Sequence, residues 1–145
     1  MHFLLPSDGS DAALKAFQHA VALAGKLNEP SQFTLLVVHD DSGLRMVKGF
    51  VGKGEVNAYL KEMADKELAK SLKWAAKAGI TPKTLFKTGH VGETILAVID
   101  KQKPDLVVMG NKGRSGLADI LIGSVAQRVS SKSTVPVLLV PAGDA

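Results

Sequence analysis

The sequence predicts a doubly wound α/β fold, in which helices cover both faces of a five-stranded parallel sheet. Two patterns predict it: short apolar runs alternate along the chain with segments of helical periodicity, and three predicted strands end in polar or glycine-rich residues. The length of 145 residues, with 46% apolar, suits one compact core. We therefore expect a single domain over residues 1–145 with right-handed crossovers between its strands.

The first half of the chain contains two predicted strands and two predicted helices. An apolar run over 2–6 is the first strand, and Ser10 or Asp11 can cap the helix after it. The continuous apolar run 33–38 predicts a strand buried on both faces. Residues 41–54, with four glycines and no period, predict a mobile loop in which 44–47 can form a helical turn. Apolar residues at helical spacing mark the two helices: Leu14, Phe17, Val21 and Ala24, then Leu60, Ala64, Leu68, Leu72 and Ala75 over 55–78, ending at Gly79.

The second half continues the same alternation. A short strand is predicted over 84–87, followed by a helix over 91–102 whose Ile95, Val98 and Ile99 face inward. Residues 105–109, all apolar after the first, are the fourth strand. Gly123 or Ser124 begins a last helix that runs to about 131, and 135–140 is the fifth strand.

Composition and charge exclude several classes of protein. The net charge is +4, but the lysines are scattered along the chain, and only 5% of residues are aromatic, so nucleic-acid binding is not expected. Four of the lysines follow the helical spacing of a solvated helix face near Glu62, Asp65 and Glu67: Lys66, Lys70, Lys73 and Lys77. The chain has no cysteine and its histidines are scattered, so we expect no metal site. It also has no leader pattern and no apolar stretch near the roughly 20 residues that span a bilayer. We expect a cytoplasmic protein without membrane contact.

The segment after the fourth strand is the strongest candidate for a binding site. Ligands of doubly wound folds bind beyond the carboxyl ends of the strands, and this end reads Gly-Asn-Lys-Gly-Arg-Ser-Gly over 110–116. Glycines let the backbone approach an anion, and the helix that begins near Gly123 adds free N–H groups. Lys112 and Arg114 can neutralise phosphate, and Ser124 offers a hydroxyl. Glycines alone would equally serve a tight loop.

The spacing of these glycines narrows the choice. Gly110, two residues, Gly113, nine residues and then Gly123-Ser124 resembles the ATP-binding signature of the universal stress protein family. Segments 4–10, 107–117, 121–126 and 135–140 are similar to that family as well, so the resemblance covers essentially the whole chain and is weakest over 41–54. It implies a Rossmann-like fold of the adenine nucleotide alpha hydrolase-like type.

The resemblance also implies which residues would hold ATP. The triphosphate would lie against Gly110, Gly113, Gly123, Ser124 and the Val125 amide, with Arg114 near its charge. Asp8, flanked by Pro6 and Ser7, would lie near the ribose and phosphates, and the main chain at Val38 would meet the adenine edge. Family members commonly have histidine before that valine, whereas this chain has Val37 there and His39 one position after it.

We expect a dimeric, ATP-binding regulatory module of the stress response, in which two copies meet through the C-terminal strand. Mg²⁺ can accompany the ATP. AMP and cyclic nucleotides are the alternative ligands. No residue set resembles an efficient hydrolase. One alternative is a slow ATPase or nucleotide-processing enzyme that uses Asp8, which Asp8-dependent, linear phosphate release would reveal. The other alternative is a protein that binds no nucleotide and acts only by protein interaction. The intact glycine spacing argues against it.

Overall fold

The computed structural model describes residues 1–40, 53–112 and 122–142. Strands and helices alternate through these ranges, as the sequence predicts. The elements are β1 (His2–Pro6), α1 (Asp11–Ala24), β2 (Gln32–His39), α2 (Lys53–Lys77), β3 (Lys83–Thr88), α3 (Val91–Gln102), β4 (Leu106–Gly110), α4 (Ser124–Lys132) and β5 (Val137–Val140). The fold class is therefore confirmed for the described residues. Of the loop predicted over 41–54, residues 53–54 belong to α2, and residues 41–52 lie outside the described part of the chain.

The five strands form one parallel sheet in the order β3-β2-β1-β4-β5. The chain proceeds from β1 towards one edge through β2 and β3, then returns to the other side of β1 with β4. Because β1 and β4 are neighbours while their connections leave in opposite directions, their carboxyl ends form the switch point at which such sheets leave a crevice.

Two apolar clusters cover the two faces of the sheet. Consecutive strand residues point to opposite faces, so Leu35 belongs to the cluster on the α1–α2 side and Leu36 to the one on the α3–α4 side. Both side chains are essentially inaccessible to solvent, which confirms that the 33–38 run is buried on both faces. In the described parts of the chain, no helix combines the length and apolar character needed to cross a bilayer.

Two element ends illustrate what local chemistry decides. Gly79 ends α2 with a φ of +74°, and the next amide, that of Ile80, donates to the Ala75 carbonyl at 2.8 Å, as the predicted helix stop requires. The fifth strand begins two residues later than predicted. The Val135 amide donates to Ser133 Oγ at 3.1 Å in a local turn, and Pro136 has no amide hydrogen for the ladder.

Candidate functional site

A cleft of about 310 Å³ opens at the carboxyl ends of β1 and β4. Eight of the ten residues predicted to bind nucleotide line it: Pro6, Ser7, Asp8, Val38, Gly110, Gly123, Ser124 and Val125. The other two, Gly113 and Arg114, lie outside the described residues. The fold therefore brings residues that are far apart in the sequence into one pocket, because β1, β2 and β4 end there and α4 begins there.

The turn after β1 forms the floor of one end of the cleft. Gly9 has a φ of +80°, a conformation that favours glycine, and its amide donates to Ser7 Oγ at 3.2 Å. The Ser10 amide donates to Asp8 Oδ1 at 3.0 Å, so one carboxylate oxygen of Asp8 already braces the turn. Ser10 rather than Asp11 caps α1, since its Oγ accepts from the Ala13 amide at 3.2 Å. A ligand contact by Asp8 stays a prediction.

Gly110 ends β4 where α1 crosses close by. A Cβ atom at this position would lie 3.0 Å from the Cβ of Ala12, closer than side chains normally approach. The absence of a side chain therefore lets the end of β4 pack against the first turn of α1. This packing role exists beside any role in phosphate binding, because the same residue also lines the cleft.

The start of α4 forms the opposite end of the cleft. Gly123 is the N-cap residue, and its amide donates to the Asn111 carbonyl at 2.6 Å, while the Asn111 amide donates to the Val140 carbonyl at 3.0 Å. These bonds hold the helix start against the ends of β4 and β5. The first intrahelical bond is from the Gln127 amide to the Gly123 carbonyl, so the amides of Ser124 and Val125 have no acceptor within the helix. Both residues line the cleft, where such amides favour an anion.

The middle of the cleft is apolar and its lip is polar. Its apolar lining consists of Leu36, Val38, Val91, Ile95, Met109 and Ala13 of α1. Ser7, Ser10, Lys112 and Ser124 supply hydroxyls and one cation at the lip. An apolar slot flanked by a few polar groups suits a flat ring system that carries a charged group.

Sequence reasoning missed the contribution of α3 to this lining. Ile95 was predicted only as a core residue, and it is indeed buried, yet it also lines the cleft together with Val91. Helical periodicity shows which residues face inward. It does not show which of them pack on the sheet and which lie beyond the ends of the strands. The one available signal was that Val91 starts the helix directly after a strand end.

His39 lies outside the cleft although it is adjacent to Val38. It is the last residue of β2, and alternation along the strand turns its side chain to the α2 side. There its Nε2 is 3.4 Å from Glu67 Oε2, within ion-pair distance but without hydrogen-bond alignment, and its ring lies 5.7 Å from that of Phe86. Val38, on the opposite face, lines the cleft.

The polar groups at the cleft are hydroxyls, backbone amides, the Lys112 ammonium and the Asp8 carboxylate. Within residues 1–40, 53–112 and 122–142, no three His, Asp or Glu side chains are grouped closely enough to hold a metal ion.

Comparison with known proteins identifies the family. The model of the universal stress protein family matches residues 1–141. Universal stress protein MJ0531 of Methanocaldococcus jannaschii is 35% identical over 143 residues, which cover 94% of this chain and 79% of that protein. The solved structure of MJ0577 from the same organism has a TM-score of 0.83 at 29% identity, covering 99% of this chain and 97% of that one. A universal stress protein in complex with cAMP has a TM-score of 0.66 at 24% identity, covering 99% and 98%. The chain belongs to the universal stress protein family.

Proposed function

We propose that the protein binds an adenine nucleotide, ATP first among them, in the cleft between β1 and β4 and acts through occupancy as a regulatory module. The observation that carries the proposal is the start of α4. It places the amides of Ser124 and Val125, which have no acceptor within the helix, at one end of an apolar cleft that Asp8 and Val38 line further along. This is the arrangement that a nucleotide needs, with charge at one end and a flat base at the other.

Each part of the nucleotide has a matching part of the cleft. The phosphates would lie at the N-terminus of α4, where the helix dipole, the Ser124 hydroxyl and the Lys112 ammonium favour negative charge. Asp8 would accept hydrogen bonds from the ribose hydroxyls, since its carboxylate repels phosphate. The base would fit between Val38 and Met109. Mg²⁺, if it accompanies ATP, would be held largely by phosphate oxygens.

The solved relative that carries cAMP supports a ligand of this chemical class. Cyclic AMP and AMP share the adenine and the ribose with ATP and differ in the phosphate end. The three nucleotides therefore compete for the same slot and differ in how much of the α4 N-terminus they use. We place ATP first because the spacing of Gly110, Gly113 and Gly123-Ser124 resembles the ATP-binding signature of the family.

Thermal unfolding with and without nucleotide tests the proposal. A ligand that binds only the folded protein at about 100 times its dissociation constant should raise the free energy of unfolding by roughly 2.7 kcal/mol. We expect a clear rise in Tm with millimolar ATP, and smaller rises with AMP and cAMP. Gly113→Val, in which a branched side chain blocks backbone approach, should melt like the wild type without ATP and show no rise with it. A melting curve that none of the nucleotides changes would support a protein that acts by interaction only.

We further propose that two copies pair through β5. This strand is one edge of the sheet, it reads Val-Leu-Leu-Val, and its first three side chains are only partly buried. An apolar edge without a charge is a template for another strand, and pairing with the same strand of a second copy satisfies both edges by two-fold symmetry.

Sedimentation at micromolar concentration tests the dimer. Leu139→Lys should shift the protein from dimer to monomer, because it places a charge in the pairing strand. Leu85→Lys is the matched control: it changes a partly buried leucine of the same apolar cluster, but in β3 at the other edge of the sheet. A wild type that sediments as a monomer rejects the proposal, and a dimer that survives Leu139→Lys places the interface elsewhere.

A further inference from the structure

The second edge of the sheet, β3, lies in the most basic part of the chain. Between Glu67 and Glu93 there is no acidic residue, and the stretch contains five lysines, one more than the net charge of +4 of the whole chain. These are Lys70, Lys73, Lys77, Lys83 and Lys87. The excess positive charge of the protein is thus concentrated on the end of α2 and on β3.

The lysines of β3 are available to a partner. Lys83 and Lys87 are both exposed, and none of the ion pairs found in the described ranges involves them. Lys70 differs, because its Nζ donates to Asp11 Oδ1 at 2.5 Å, and this hydrogen bond lowers the pKa of the Asp11 carboxyl.

The acidic residues of the neighbouring helix α3 are turned to its other side. Glu93 accepts a hydrogen bond from Arg128 of α4, and Asp100 Oδ1 accepts one from Thr134 Oγ1 at 3.0 Å. Their charge is therefore directed towards α4 and the segment after it rather than towards β3. Neither α3 carboxylate is therefore directed at the lysines of β3.

Alternation along the strand arranges this edge as a pattern. Lys83, Leu85 and Lys87 point to one face, about 6.6 Å apart from one to the next. Leu85 packs against the α3–α4 cluster but stays partly exposed, while Phe86 packs on the opposite face. An approaching chain would meet a cation, an apolar side chain and a second cation in a row.

A groove of about 360 Å³ continues this row at the amino end of the strand. Lys83, Thr84 and Leu85 line one side, and His2, Thr34 and Gln102 line the other. His2 Nε2 and Thr34 Oγ1 are 2.9 Å apart, and burial lowers the pKa of the His2 imidazole, so this ring is neutral at neutral pH. The groove has room for a side chain, and its fixed positive charge comes from Lys83.

We propose that β3 docks an acidic, extended segment of a partner protein, which adds a strand to the sheet edge. The segment carries carboxylates at alternate positions that flank an apolar side chain, matching Lys83, Leu85 and Lys87. Main-chain hydrogen bonds supply the pairing, and the side-chain pattern supplies the selectivity. The same lysines repel a second copy of this edge, so β3 is protected from self-pairing while β5 is not.

Binding of a synthetic peptide to the full chain tests the proposal. The probe is a short labelled peptide in which two glutamates flank an isoleucine at alternate positions, followed by fluorescence anisotropy. Lys83→Glu combined with Lys87→Glu should weaken binding at least about tenfold, since two attractions become repulsions. Lys73→Glu combined with Lys77→Glu is the matched control, with the same charge change on α2, and should stay within about threefold of the wild type. All four side chains are exposed, so both variants should melt like the wild type.

Two further measurements separate strand addition from general attraction of polyanions. A peptide with lysines in place of glutamates should bind the Lys83→Glu, Lys87→Glu variant and not the wild type. Hydrogen exchange should slow at amides of β3 when the acidic peptide is bound. The proposal is overturned if the wild type does not bind the peptide, if both double variants lose affinity equally, if no β3 amide is protected, or if a single-stranded DNA oligonucleotide binds as tightly with the same losses.

Discussion

Replacing Phe17 by alanine is expected to lower the free energy of unfolding by about 3 to 5 kcal/mol. The side chain is fully buried, and its ring lies 5.8 Å from that of Phe33 in β2 and 5.2 Å from that of Trp74 in α2, both edge to face. Its loss leaves a cavity where the sheet and two helices meet. Urea unfolding followed by fluorescence of Trp74, the single tryptophan, measures the change.

Tyr59→Ala provides the control for this substitution. Tyr59 is also aromatic but is 55% exposed on α2, so its removal should change the free energy of unfolding by no more than about 0.5 kcal/mol. Equal losses in the two variants would contradict the view that packing of Phe17 ties α1 and α2 to the sheet. Trp74 would then be peripheral rather than part of that packing.

The second large effect concerns nucleotide affinity at the start of α4. Ser124→Ala removes only a hydroxyl and should cost about 1 to 3 kcal/mol of ATP binding if that hydroxyl meets a charged phosphate oxygen. Ser124→Pro removes the amide hydrogen as well and should cost about 1.5 to 3 kcal/mol more. Proline is tolerated at the first position of a helix, and Gly123 before it already has the extended ψ of 160° that proline requires. The difference between the two variants therefore isolates the amide.

Calorimetry with ATP measures both variants, and Ser130→Ala serves as the control. Ser130 lies near the other end of α4, where its Oγ donates to the Gln127 carbonyl, and its loss should leave ATP affinity unchanged. If Ser124→Pro binds ATP as tightly as Ser124→Ala, the helix start does not hold the phosphates. The proposed orientation of the nucleotide would then be wrong even if ATP binds.

Much of the architecture was readable from local patterns. Helical periodicity located α3 at Val91–Gln102, and continuous apolar runs located β2 and β4 to within one or two residues, because these elements are determined by which side chains must be buried. The signature Gly110, Gly113 and Gly123-Ser124 predicts a phosphate site, and that stays a prediction. Less local features were read less well: the start of β5 was misplaced because Ser133 and Pro136 divert the chain there.

The sequence by itself determined the alternation of strands and helices and the two-sided burial of the sheet, and it predicts which residues hold phosphate. Tertiary structure alone decided the strand order, and with it the cleft, since only the placement of β1 beside β4 brings Asp8 and Ser124 to one pocket. It also decided that β5 and β3 are the edge strands of the sheet. Apolar composition does not distinguish an edge strand from an internal one, because both can be equally apolar. The physical reason is the distance along the chain over which each feature is decided. Periodicity within one segment shows whether a residue is buried, whereas the order of the strands depends on packing between residues that are distant in the chain.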